Sequence, residues 1–150
     1  MKIYDCFMYF DEEVVLDLRL NTLNKFVDYF VIVESIFTHK GEQRELNFNY
    51  KKFEKFKDKI IYLVYDKQPK DLLSIKDQKT DHGVYIMNAL LRENGQINFI
   101  LEGLKSAKED DLILISDVDE IPNLENINLK EYNEKIIQFR QEKFHYKYNI

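Results

Sequence analysis

Four short segments that are almost entirely apolar do most to limit the folds open to this chain. They are residues 3–10, 29–34, 60–65 and 112–115. Strands that are apolar on both faces are typical of a parallel sheet covered by helices on its two sides. The sequence therefore predicts an α/β fold with a mostly parallel sheet, in which these segments are the first four strands.

The segments between these strands predict the helices. Apolar residues recur at helical spacing over residues 14–26, and residues 51–57 read as a short basic helix. Residues 83–105 predict a long amphipathic helix, in which Gly95 leaves two shorter helices as an alternative. Residues 136–148 predict a fifth strand. The length of 150 residues fits one domain over residues 1–150.

Charge and hydropathy argue against several classes of partner. The 22 basic and 27 acidic residues give a net charge of -5, whereas a nucleic-acid binder needs a basic face. We find no run of about 18 apolar residues and no basic leader before the first strand, so we expect no membrane span and a cytoplasmic location. The one cysteine, Cys6, excludes an intrachain disulfide and reads as a small buried hydrophobe.

Three carboxylates follow the fourth strand directly, at Asp117, Asp119 and Glu120. The carboxyl end of a strand is where open α/β sheets bind ligands. Three ionised carboxylates repel one another unless a positive charge lies between them, and Mg²⁺ or Mn²⁺ suits such oxygen ligands. The sequence therefore predicts a metal site here. A solvated acidic turn after a buried strand is the alternative that the pattern alone leaves open.

Two blocks of residues carry a resemblance to a known family. Residues 110–122 (DDLILISDVDEIP) resemble the D-x-D-E-I-P segment of glycosyltransferase family 17. Residues 10–48 keep that family's order of an L-D-x-R-L helix, a V-x-E-S strand end, F-T, G-E and L-x-F. A weaker match covers residues 139–146. The blocks span nearly the whole chain, and the first two are specific as a pair because their order and spacing agree.

The resemblance implies a fold of the A type of glycosyltransferases (GT-A) and a metal-dependent reaction. A sugar, N-acetylglucosamine by resemblance, would pass from a UDP-sugar donor to a glycan or saccharide acceptor with inversion. Asp119 would bind Mn²⁺ or Mg²⁺ directly, and Asp117 would bind the metal through water or hold the donor ribose. Glu120 is the nearest candidate for the catalytic base.

The same resemblance implies further donor contacts. Glu34 and Ser35, at the carboxyl end of the second strand, would lie near the nucleotide, with Thr38 and Gly41 in the adjoining loop. Arg92 would reach the diphosphate, because a guanidinium matches phosphate geometry. From the residues alone, Glu34 also suits a helix cap, Arg92 a solvated helix face, and Asp17 with Arg19 a structural ion pair or an exposed face.

The sequence leaves open two functions other than glycosyl transfer. Family domains continue beyond the strand after the D-x-D, so we expect the acceptor half to be short, and a non-catalytic sugar-nucleotide-binding or assembly module is the main alternative. Its 10 tyrosines and 11 phenylalanines would then supply an oligomer or carbohydrate surface. A phosphatase with Asp117 as nucleophile is a distant third, because its motif normally opens a chain.

Overall fold

The computed structural model describes residues 1–76, 81–132 and 134–141, and places four strands and two α-helices in them. The strands are β1 (Ile3–Tyr9), β2 (Tyr29–Ser35), β3 (Ile60–Tyr65) and β4 (Leu112–Ile115). Helix α1 spans Glu13–Leu23 and helix α2 spans His82–Asn98. Three short 3₁₀ segments lie at Glu54–Phe56, Phe99–Leu104 and Leu129–Glu131.

The strands form one parallel sheet in the order β3-β2-β1-β4, which confirms the predicted α/β class. The chain runs outward from β1 through β2 to β3 and then returns to pair β4 with the free side of β1. Tyr4 pairs with Tyr29 on one side and with Ile113 on the other. The direction of the strand order thus reverses at β1, and ligands of open α/β sheets bind at such a switch point.

Both faces of the sheet are covered, as the apolar strands predict. Leu16, Leu20 and Leu23, spaced three or four residues apart on α1, pack with Phe7 and Phe30 on one face. On the other face, apolar side chains of β1, β2 and β3 pack with the end of α2 and the 3₁₀ segment that follows it: Tyr4, Cys6, Val31, Val33, Tyr65, Ile97 and Ile100. Cys6 is buried, as expected.

Three predicted elements differ from the structure. The predicted helix over residues 51–57 is reduced to the single 3₁₀ turn Glu54–Phe56. The predicted helix over residues 83–105 ends at Asn98 and continues as a 3₁₀ segment. The predicted fifth strand is wrong over residues 136–141, which form no strand, and its remaining residues lie outside the described ones.

Gly95 does not interrupt α2, which runs through it as one helix, so the alternative of two shorter helices is wrong. A Cβ built at this position would overlap the Tyr65 hydroxyl at the end of β3. The glycine is therefore a point of close contact between helix and sheet. Of the helices that the structure describes, none has the length and apolar character to cross a bilayer.

Candidate functional site

A cavity of about 690 Å³ opens at the carboxyl ends of β1 and β2, beside the turn that follows β4. Its walls come from five parts of the chain: the end of β1, residues 12 and 15 at the start of α1, the loop after β2, Gln96 of α2 and residues 117–119. The volume is that of a site for a small molecule. Four of the residues predicted to form a site line it: Ser35, Thr38, Asp117 and Asp119.

Asp117 and Asp119 lie on a tight turn with Val118 buried between them. The backbone amides of Glu120 and Ile121 donate to the carbonyls of Asp117 and Asp119, at 3.0 and 3.1 Å. Both aspartates are exposed toward solvent, and in the described part of the chain neither carboxylate has a hydrogen bond or an ion pair. Partial desolvation of the Asp117 carboxyl at the cavity edge, and then the charges of Glu120 and Asp119, raise its pKa above the usual range.

The carboxylate pair fits a divalent cation that brings further ligands of its own. Within the described residues, no three His, Cys, Asp or Glu side chains are grouped closely enough to hold a metal ion by themselves. Two unpartnered carboxylates at the edge of a cavity match the habit of Mg²⁺ and Mn²⁺, which bind one or two carboxylates together with substrate phosphates.

Glu120 lies on the same turn but outside the residues that line the cavity. Its carboxylate accepts a hydrogen bond of 3.3 Å from the backbone amide of Asp117. The Glu120 side chain therefore links the two ends of the turn between Asp117 and Glu120. A role as catalytic base stays a prediction.

Arg19 of α1 lies beneath this turn and is fully buried. Its guanidinium binds both carboxylate oxygens of Asp5 in β1, at 2.8 and 2.7 Å. The predicted ion pair between Asp17 and Arg19 is wrong, because Arg19 pairs with Asp5. Asp17 is instead exposed and accepts from Asn21.

Glu34, at the end of β2, is buried and uses both carboxylate oxygens inside the protein. One oxygen accepts from Arg44 at 2.9 Å and from the Asn47 amide at 2.7 Å. The other accepts from the Phe48 amide at 3.0 Å and from the Tyr62 hydroxyl at 2.8 Å. These contacts fold the loop after β2 back onto the sheet. Contact with a nucleotide stays a prediction, since the four partners account for the side chain without a ligand.

The remaining predicted residues shape the loop over residues 35–44. Thr38 accepts from the Glu42 amide through its hydroxyl, and Gly41 turns the loop with a φ of 94°. Arg92 packs against Gly41 and donates to the His39 carbonyl and to Gln68, at 3.1 and 2.8 Å. Arg92 is not among the residues that line the cavity, so the structure places it behind the loop as a support. Its predicted contact with a diphosphate is untested.

Sequence reasoning missed several side chains of the cavity. Arg44 donates to the carbonyls of Ser35 and Phe10, and so ties the loop to the end of β1. Lys40 and Gln96 also line the cavity, and Gln96 is held by the Val33 carbonyl at 2.8 Å. The rarity of arginine was one sequence signal that could have pointed to these residues, since only four of the 22 basic residues are arginine. Three of the four, Arg19, Arg44 and Arg92, lie at or beside this site.

Comparisons with known proteins give a family match and three similar proteins. The model of the family described as "Glycosyltransferase family 17" matches residues 1–150. The chain is also similar to the β-1,4-mannosyl-glycoprotein 4-β-N-acetylglucosaminyltransferases of Homo sapiens and Rattus norvegicus, with 31% identity over 112 residues in each case. The Mus musculus protein of the same name is 30% identical over the same length.

The alignments cover most of this chain and a small part of each relative. They include 72% of this chain but only 19% of the human, rat and mouse proteins. No solved structure matches the chain significantly.

Proposed function

The chain belongs to glycosyltransferase family 17, and from that membership we propose that its cavity binds a nucleoside-diphosphate sugar together with Mn²⁺ or Mg²⁺. The transferred sugar would be N-acetylglucosamine, since the named relatives are N-acetylglucosaminyltransferases. The donor would be the UDP-sugar and the acceptor a glycan. The reaction would proceed with inversion.

One observation carries the proposal. Two carboxylates without partners in the described chain, Asp117 and Asp119, stand at the edge of the cavity where the strand order reverses. An anionic diphosphate would be repelled by these carboxylates alone, so their presence there favours a cation shared with the donor. When bound, the cation would offset the charge that develops on the leaving diphosphate.

The chain's own residues would bind and orient the donor. Asp119 and Asp117 would hold the cation, and the Lys40 ammonium, which also lines the cavity, would attract the phosphates. The hydroxyls of Ser35 and Thr38 each accept a backbone amide, at 3.0 and 3.1 Å, which leaves their own hydrogens free to be donated to a ligand. Arg44 would keep these groups in place by fixing the loop to β1.

Calorimetric titration tests this proposal most simply. UDP and UDP-N-acetylglucosamine are titrated into the wild-type chain with and without Mn²⁺, and then into Asp119→Asn. We expect Mn²⁺-dependent binding that weakens at least about tenfold in the variant, or about 1.4 kcal/mol. Asp58→Asn is the matched control, because this exposed aspartate precedes β3 at the opposite edge of the sheet and should bind as the wild type does.

The titration and activity assays distinguish the transferase from the two alternative functions. A folded wild-type chain that binds neither compound, with or without Mn²⁺, would refute donor binding. Binding without sugar release or transfer to any glycan acceptor would support the non-catalytic module instead. Phosphate release from small phosphoesters, lost in Asp117→Asn, would support the phosphatase.

A further inference from the structure

We infer that the buried Asp5–Arg19 pair sets the conformation of the turn over residues 116–120 and thereby positions Asp117 and Asp119 for the cation-bound donor. The inference rests on the proposed function for its consequence in binding. Its geometric part, that one guanidinium shapes the turn, can be tested without any ligand. Arg19 is then a positioning residue, since it touches the turn from below and does not line the cavity.

The pair is anchored on the rigid part of the fold. Asp5 lies in the middle of β1, between β2 and β4, and its side chain points to the face covered by α1. Arg19 reaches it from α1, and both side chains are completely excluded from solvent. The two-point contact fixes the plane of the guanidinium as well as its position.

The rest of the guanidinium is used by the turn. Its Nη1 atom donates to the carbonyls of Asp117, Val118 and Glu120, at 2.6, 3.2 and 3.2 Å. Its Nη2 atom donates to the Ser116 hydroxyl at 2.8 Å, and that hydroxyl lies 3.1 Å from the Glu120 carbonyl. The turn therefore wraps around one side chain, with its carbonyls directed inward.

This arrangement uses every donor that an arginine has. Five N–H groups meet the two oxygens of Asp5, the three carbonyls and the Ser116 hydroxyl. Because one group sets the directions of three of the turn's carbonyls, the side chains of Asp117 and Asp119 are left to face the cavity. A lysine, with one compact ammonium, cannot bind Asp5 at two points and also reach all three carbonyls.

A contribution to core stability alone would not require a charged pair. Replacement of a buried ion pair by apolar side chains of similar size is often neutral for stability or even stabilising. Such a replacement would remove the turn's donors without opening a hole in the core. The double variant Asp5→Leu/Arg19→Met therefore separates positioning from folding.

The experiment compares this double variant and Arg19→Lys with the wild type. Leu23→Ala, a core substitution at the far end of α1, is the control for lost stability. Three quantities are measured on the full chain: the free energy of unfolding, the affinity for UDP with Mn²⁺, and hydrogen exchange at the amides of Glu120 and Ile121. Those two amides donate within the turn and report its conformation without ligand.

We expect a folded double variant whose two amides lose their protection and whose Mn²⁺-dependent affinity for UDP falls about 10- to 100-fold, as for groups that orient metal ligands. Arg19→Lys should give a smaller loss in both readouts. Leu23→Ala should lose stability but keep both the affinity and the protection.

Two results would overturn the inference. One is a folded double variant that retains both the protection of the turn and the affinity. The other is a loss in Arg19→Lys no greater than that of Leu23→Ala at equal stability. If the wild type itself does not bind UDP, the proposed function fails, and the amide exchange of the variants alone then decides whether the pair sets the turn.

Discussion

At the scale of single residues, the described part of this small domain buries three charged side chains, and each is completely paired. Asp5 and Arg19 bind one another under the turn after β4, and Glu34 gathers four donors at the end of β2. A buried charge costs several kcal/mol unless its partners replace water. Each of these residues therefore depends on partners from other parts of the chain. Removal of one partner leaves a buried charge without compensation and so lowers the free energy of unfolding.

Glu34→Gln tests how much the loop after β2 depends on that carboxylate. The amide keeps the shape of the side chain but removes the charge opposite Arg44 and forces one NH₂ group toward backbone and hydroxyl donors. We expect a loss of about 3 kcal/mol in the free energy of unfolding, the usual result of breaking a buried pair. Urea unfolding measures this loss.

The neighbouring Glu45 supplies the control for that prediction. It is exposed on the same loop, so Glu45→Gln should change stability by no more than about 0.5 kcal/mol. Equal stability of the Glu34 and Glu45 variants would mean that the Glu34 contacts contribute nothing net to the fold. Burial, and then the hydrogen bond with Glu34, raise the pKa of Tyr62, which keeps its hydroxyl a donor to Glu34 even in alkaline solution.

At the scale of elements, the sequence predicted what local patterns determine. The four strands were recognised within one or two residues because each is a short apolar run, and α1 because its leucines recur at helical spacing. The prediction of a fifth strand was wrong over residues 136–141. A sequence pattern shows only a tendency to be extended, whereas a strand also needs a neighbouring strand to pair with. The end of α2 was misplaced since 3₁₀ and α turns share the same apolar spacing.

Gly95→Ala tests the contact between α2 and β3. In an exposed helix this change would add up to about 1 kcal/mol of stability, since alanine favours helix. Here the new methyl group overlaps the Tyr65 hydroxyl, so we expect a net loss of about 1–3 kcal/mol by overpacking. Thermal and urea unfolding of the purified chain measure the difference.

A double-mutant cycle and a second glycine make this test specific. In a Tyr65→Phe background the hydroxyl is gone, and Gly95→Ala should cost clearly less. Gly83→Ala, near the start of the same helix with no atom within 4 Å of the added Cβ, should be neutral or stabilising. An equal gain from both glycine substitutions would contradict the close contact with Tyr65.

At the scale of the whole molecule, the candidate site exists only because distant segments converge at one edge of the sheet. Asp117 and Asp119 were predicted from sequence because they follow a strand directly. The contacts of Arg19 could not be predicted, because its turn lies 98 residues further along the chain. The polar Asp5 inside an apolar strand was the one local sign that a buried partner was needed.

The most direct test of the central claim locates the bound cation within the fold. Amide signals of the labelled chain are recorded with UDP and Mn²⁺, whose unpaired electrons broaden nearby resonances, and with UDP and Mg²⁺ as the diamagnetic reference. We predict selective broadening at the carboxyl edge of the sheet, at Phe10, Thr38 and Asp119, while Tyr29 and Ile60 at the opposite edge stay sharp. Broadening centred on that opposite edge, or none at saturating UDP, would contradict the account.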